Sequence, residues 1–304
     1  MDREALKRSV RGAVRFDEPM ARHTTLRVGG PADVWVEPLD ADDLLALAAH
    51  CHGKGIAWHA VGIGSNLLCR DGGVRGVVVS TRRLDRIERV DPTTLRAEGG
   101  LSTARLLYAT LELELGGLEF LAGVPGTVGG GLVMNAGTYL GEFKDVTTGV
   151  ATVTRRGERV ERRSAECGFA YRASSIPRDE IVVSGTFALR ARTRDEMERD
   201  VRELRARRRT REPKGLPNAG SFFKNPPGDF AGRLIEQAGL KGRRIGGAEI
   251  SAVHANWFVN TGGATAGDFL ALAGVARREV REKSGVDLEL EVKVMGDDPP
   301  REQG

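Results

Sequence analysis

Only three cysteines, Cys51, Cys69 and Cys167, occur in 304 residues, widely spaced and without a CxxC pair. That scarcity excludes a disulfide framework and argues against a zinc site. No apolar run approaches the length that spans a bilayer, and the N-terminal "MDREALKRSVRGAVRFDEP" is charged where a signal peptide would be apolar. The expectation is therefore a cytoplasmic protein without a membrane span. Tandem repeats and low-complexity tracts are absent. So are the Gly-Lys-Ser/Thr ending of a P-loop, the dinucleotide fingerprint and the GxSxG elbow of a serine hydrolase. His254, in "GGAEISAVHANW", has no metal-ligand partner at a sensible spacing, so it reads as structural and no metal is expected.

What the chain does hold is glycine, 40 residues of it, within a composition 40% hydrophobic and 29% charged. The aliphatic content rules out general disorder, so the glycines read as tight turns and ligand loops. The formal charge of +4 is mild. It is concentrated in "RDVRELRARRRTREPK", residues 199–214, which suggests an anionic ligand or a solvated helix face. Interleaved aromatics and a recognition motif are missing there, so a nucleic-acid-binding protein is the weaker alternative.

The coarse pattern is α+β. "ADVWVEP", "IAWHAVG" and "VRGVVVST" read as strands, with a helix in "DADDLLALAAHCHGKG" near an Asp40 cap. A hairpin is expected to turn at Asp91-Pro92, a helix to start at Ser102 or Thr103, and a second hairpin to turn at Gly157. A charged helix follows, then a last unit of helix, strand, helix and a final strand, "VDLELEVKVM", with Leu288, Leu290, Val292 and Val294 on one face. The expected divisions are an N-terminal segment 1–20, a first domain 21–191 in subdomains 21–80 and 81–191, a linking helix 192–212, a C-terminal domain 213–297 and a tail 298–304.

Four stretches carry chemistry. "AVGIGSNLL" puts Gly62, Gly64, Ser65 and Asn66 after a strand, where backbone amides can face a phosphate or merely make a turn. "GVPGTVGGGLVMNAG", residues 123–137, offers Gly123, Pro125, Gly126, Gly129, Gly130, Asn135 and Gly137. Two such loops fit one extended phosphate-bearing cofactor lying between two subdomains. In "CGFAYRASS", Arg172 can present a forked cation to a carboxylate or form a structural ion pair. In "PNAGSFFKNP", Ser221 stands between a glycine and two phenylalanines, as a pocket hydroxyl or a turn cap, with Lys224 and Asn225 following.

These segments, with "TTLRVGGPA", "AGRLIEQAGLKG", "GGAEISAVHANWFVN" and "LELEVKVMG", resemble one family in order from about residue 24 to 296. It is the UDP-N-acetylenolpyruvoylglucosamine reductases, also called UDP-N-acetylmuramate dehydrogenases. The resemblance implies a two-subdomain FAD-binding domain of the vanillyl-alcohol-oxidase type and a smaller substrate-binding domain. It implies FAD as cofactor, NADPH as hydride donor, a nucleotide-sugar substrate and no obligate protein partner. The FAD pyrophosphate would lie on the Gly62–Asn66 loop, helped by the 123–137 segment. The family's catalytic arginine, serine and glutamate fall on Arg172, Ser221 and Glu291, with Lys224, Asn225 and Arg208 as substrate contacts. Ile176-Pro177 and Trp257 depart from the family's usual phenylalanines. The stretch from Arg172 to Ser221 leaves little room for the tyrosine loop of a related branch. A flavin-dependent alcohol oxidase of the same fold is the alternative enzyme, with His59 near the first loop for covalent flavin attachment.

Overall fold

The computed structural model describes residues 1–299; the end of the expected tail, from residue 300, lies outside them. The chain divides into two compact units. The first holds Met1–Phe16, Val34–Gly62 and Gly76–Arg208, and the second holds Asp17–Asp33, Ile63–Arg75 and the chain from Arg209 onward. The helices are α1 (Arg3–Ser9), α2 (Ala41–Gly53), α3 (Thr103–Glu112), α4 (Val128–Val133), α5 (Arg194–Arg211), α6 (Ala231–Gln237) and α7 (Ala266–Ser284).

Local signals account for most starts. Asp40 accepts the Asp43 amide at 2.9 Å to cap α2, and Leu44, Leu47, Ala48 and Cys51 form its buried stripe. Ser102 caps α3 through the Arg105 amide at 3.2 Å. In α5 only Met197, Val201 and Leu204 are buried, at four- and three-residue spacing, and the rest of this arginine-rich helix faces solvent or neighbouring polar groups. Two helices were not expected. α1 rests on an Asp2 cap inside the N-terminal segment 1–20, for which no element was expected. α4 lies in the glycine-rich segment, capped by Thr127. Three successive glycines disfavour a helix, but this one packs too closely for side chains: a Cβ on Gly131 would overlap the Phe143 ring, and the Gly129 amide donates to Gly99 at 2.7 Å.

A four-stranded sheet runs in the order Ala13–Pro19, Pro31–Glu37, Val74–Ser80, Trp58–Val61. Its last two strands are parallel and end together, Val61 beside Ser80. A five-stranded antiparallel sheet of the first unit runs Arg159–Arg163, Thr147–Val153, Ile181–Ala188, Thr94–Glu98, Ile87–Asp91. In the second unit Asn218–Ser221, Trp257–Asn260, Ala248–Ile250 and Arg244–Ile245 form an antiparallel sheet in that order. Its core stacks Phe222 on Phe258 with ring centroids 4.3 Å apart and takes in Phe223, Phe269, Leu26, Val28 and Leu68.

The continuous last strand expected over 286–295 is shorter. Only Lys293–Met295 forms a strand, parallel to Leu67–Cys69. The residues before it keep the extended alternation, Leu288 and Val292 buried and Glu289 exposed, but pair elsewhere. Lys224 donates its amide to Glu289 and Glu291 donates its amide to Phe222, before Lys293 turns to Asn66. A change of partner along one extended segment breaks the ladder without disturbing the burial pattern.

Candidate functional site

In the first unit the opening loop begins at Gly62, where a Cβ would stand 2.5 Å from Thr127 Oγ1. The two glycine-rich segments therefore meet there, backbone against the hydroxyl that caps α4. The turn before α4 contains Gly123, Pro125 and Gly126. It is tied to the start of α3, since Thr103 Oγ1 donates to the Val124 carbonyl at 2.6 Å and the Thr103 amide to Gly126 at 3.1 Å. Gly123 has φ +78°, and a Cβ on it would lie 3.0 Å from Arg208 Nε, so Arg208 sits against this turn. Gly129 uses its amide on Gly99, and Gly130 donates to Thr127 Oγ1 at 3.4 Å.

Asn135 is fully buried, with φ +41°. Its Nδ2 donates to Glu142 Oε2 at 2.9 Å and to the Ala170 carbonyl at 3.0 Å, and its Oδ1 accepts the Lys144 amide at 2.9 Å. The side chain thus fastens two loops together. One is the Gly137–Thr138/Gly141–Glu142 hairpin, and the other carries Arg172. Arg172 lies at the tip of a tight turn closed by Ala170 and Ala173, with φ +54° in the left-handed region that costs an arginine energy. Its guanidinium donates to the Gly137 carbonyl at 3.0 Å, stands 3.7 Å from Glu142 Oε1 and lies 5.0 Å from the Tyr171 ring centroid. Glu142 also holds Lys144 Nζ at 2.9 Å.

In the second unit Gly64, φ +67°, packs against the 23–25 turn: a Cβ there would overlap the His23 carbonyl, and Gly64 accepts the Thr25 amide at 3.2 Å. Ser65 follows, partly exposed. Asn66 donates Nδ2 to the Glu291 carbonyl at 3.1 Å, and its own carbonyl accepts the Lys293 amide at 3.0 Å. Glu291 donates its amide to Phe222 at 2.9 Å, one residue past Ser221. The Asn66 side chain and the peptide bonds of Phe222 and Glu291 thereby hold Ser221, Glu291 and Asn66 along one edge. Lys224 is turned aside, its Nζ 2.6 Å from the exposed Glu289. Asn225 accepts the Ala231 amide at 3.1 Å and so caps α6. Sequence reasoning missed Asn256. Buried, it accepts the Phe223 amide at 2.9 Å and donates to the Phe223 carbonyl at 2.8 Å, holding the residue after Ser221-Phe222 as a strand would. Its position in "HANWFVN" carries no local signal of that task.

Burial pushes the Cys69 thiol up to about 12 and the Cys51 thiol up to about 11, so both behave as apolar core groups. Among the described residues no group of His, Cys, Asp or Glu is arranged to hold a metal ion, and no helix is long and apolar enough to cross a membrane.

A glycine-lined loop at the carboxyl ends of parallel strands is a place where ligands lie, and the family models that the chain matches make it an FAD-binding oxidoreductase. Residues 32–162 match the family model described as an FAD binding domain, and residues 212–295 match the one described as UDP-N-acetylenolpyruvoylglucosamine reductase, C-terminal domain. The chain belongs to the UDP-N-acetylenolpyruvoylglucosamine reductase family. It is 47% identical over 293 residues to the enzyme of that name from Geobacter sulfurreducens, covering 96% of this chain and 97% of the relative. It is 45% identical to the one from Anaeromyxobacter dehalogenans, covering 99% and 91%. The crystal structure of the Thermus caldophilus reductase superposes with a TM-score of 0.80 at 35% identity, covering 94% of this chain and 99% of that one.

The residues present fit FAD. In the first unit Gly62 is partly exposed and Gly123 and Gly130 are exposed, so backbone without side chains is open to a phosphate there.

Proposed function

We propose that this chain uses NADPH to reduce the enolpyruvyl ether of UDP-N-acetylenolpyruvoylglucosamine to UDP-N-acetylmuramate, a step of peptidoglycan precursor synthesis in the cytoplasm. The observation that carries this reading is the stitching of Ser221 to Glu291 through the Phe222 carbonyl, in a chain of this family. FAD, held by the Gly62 loop and the 123–137 segment, supplies the hydride chemistry when bound.

Reduction of the enol ether places negative charge beside the substrate carboxylate. Arg172 opposes that charge with a permanent, planar cation. Its aim is set by Gly137 and Glu142, so little reorganisation is needed as the charge develops. Ser221 donates the proton that completes the new C–H bond. An alcohol is a weak acid in water, but an enolate-like base beside cations draws its proton readily. Glu291 acts as a protonated or hydrogen-bonded orienting group, since a bare carboxylate there would oppose the reaction. Asn66 and Phe222 hold its peptide from both sides. Arg208, Lys224 and Asn225 are the proposed substrate contacts; Lys224 would exchange Glu289 for a phosphate, and Asn225 acts from its capping position.

The test separates the half-reactions in stopped flow. Ser221→Ala is expected to leave flavin reduction by NADPH unchanged and to slow reoxidation by the enolpyruvyl sugar by about 10²–10⁴-fold. Equal losses in both half-reactions would remove Ser221 from the role.

A further inference from the structure

The strand Asn218–Ser221 loses its partner at the end that carries the serine. Ser221 stands opposite Trp257, the first residue of the strand Trp257–Asn260, and before Trp257 that chain turns away, the Trp257 amide donating to the His254 carbonyl at 3.0 Å. The peptides that follow Ser221 are nevertheless buried, Phe222 and Phe223 both at 0% exposure, so their N–H and C=O groups need partners. Phe222 donates its amide to the Asn256 carbonyl at 2.7 Å. Phe223 has its amide and its carbonyl both on the Asn256 side chain, which offers an acceptor and a donor together, as a strand peptide does. The opposite edge of the same segment belongs to the run that carries Glu291. There the Phe222 carbonyl accepts the Glu291 amide at 2.9 Å, and the Lys224 amide donates to the Glu289 carbonyl at 2.8 Å. Removing the Asn256 amide would orphan two buried backbone groups at once, and the segment could recover them only by moving. We propose that Asn256 is a positioning residue for the reduction, its amide fixing the Phe222-Phe223 peptides and through them the place of the Ser221 hydroxyl.

The inference rests on the reading of Ser221 as proton donor, and a double-mutant cycle lets the two fail separately. Asn256→Asp keeps an acceptor for the Phe223 amide and sets a second oxygen against the Phe223 carbonyl; Asn256→Ser loses the side-chain amide altogether. Holoprotein carrying either change is followed in stopped flow. Flavin reduction by NADPH is expected to be unchanged, and reoxidation by the enolpyruvyl sugar to slow about 10²-fold, the effect of misplacing a reacting group by about 1 Å. Added to Ser221→Ala, the same changes are expected to slow reoxidation by no more than about threefold, since the hydroxyl they would misplace is already gone. Losses that simply add in the cycle overturn the proposal, as do equal losses in both half-reactions of the Asn256 variants. Failure of both variants to give folded holoprotein also overturns it, since that marks Asn256 as a residue of the fold. Each of these leaves the role of Ser221 standing. Equal losses in Ser221→Ala alone remove that role, and the proposal with it.

Discussion

His254 stands where α6 begins, close enough that a Cβ on Gly232 would come within 2.8 Å of its Cε1. Its Nδ1 accepts the Asn256 amide at 3.2 Å, which leaves the proton on Nε2 in the neutral ring. Burial, and then the Lys241 ammonium, push its pKa below the ordinary value of 6.5. The unfolded chain therefore binds the extra proton first. The stability that this ring contributes is complete above pH 6.5 and is lost as the pH falls through the folded value. Urea midpoints measured at pH 7.5 and pH 5.5 should drop with acid in the unaltered protein and drop less in His254→Gln. At this scale the sequence separates residue types better than tasks. Asn135 and Asn66 both read as ligand-loop asparagines. Asn135 has its side chain wholly engaged with Glu142, Ala170 and Lys144, and Asn66 spends its amide on Glu291. An asparagine advertises hydrogen-bonding capacity, while its partners come from folding distant segments together.

α7 shows the same division between local and distant causes. Its capping box, Thr265 with Asp268, can be found in the sequence. Its other cap cannot: the Asp71 carboxylate accepts the Ala266 and Gly267 amides, each at 2.8 Å, from a loop 195 residues earlier than Ala266. A carboxylate on otherwise orphaned amides at the positive end of a helix stabilises it by both hydrogen bonds and dipole. Asp71→Ala is expected to cost about 1–2 kcal/mol in the urea unfolding of the protein. Strands and long helices were legible because their periodicity survives whatever they pair with, as Leu288 and Val292 show. α4 was not legible, since glycine propensity argues against a helix and the reason for it, the Phe143 ring against Gly131, lies outside the segment.

The α+β character was legible from the succession of elements, but the discontinuity of the units was not. The second unit draws on Asp17–Asp33 and Ile63–Arg75 as well as on the chain from Arg209 onward. Leu26, Val28 and Leu68 from these early stretches join the core around Phe222, and Leu67–Cys69 is the sheet partner of Lys293–Met295. Hydrophobic periodicity reports which face is buried and never against what. A fragment comprising residues 209–304 therefore lacks part of its core and one strand of its parallel pair. It is expected to show no cooperative thermal transition by circular dichroism, in contrast to the full chain; a sharp transition in the isolated fragment would contradict this account of its core.

That discontinuity has a consequence during synthesis. Leu26, Val28 and Leu68 leave the ribosome long before Phe222, Phe258 and Phe269 exist to receive them, and must wait in the nascent polypeptide with their apolar surface uncovered. The final stretch to be translated sets the moment at which some of the earliest becomes ordered.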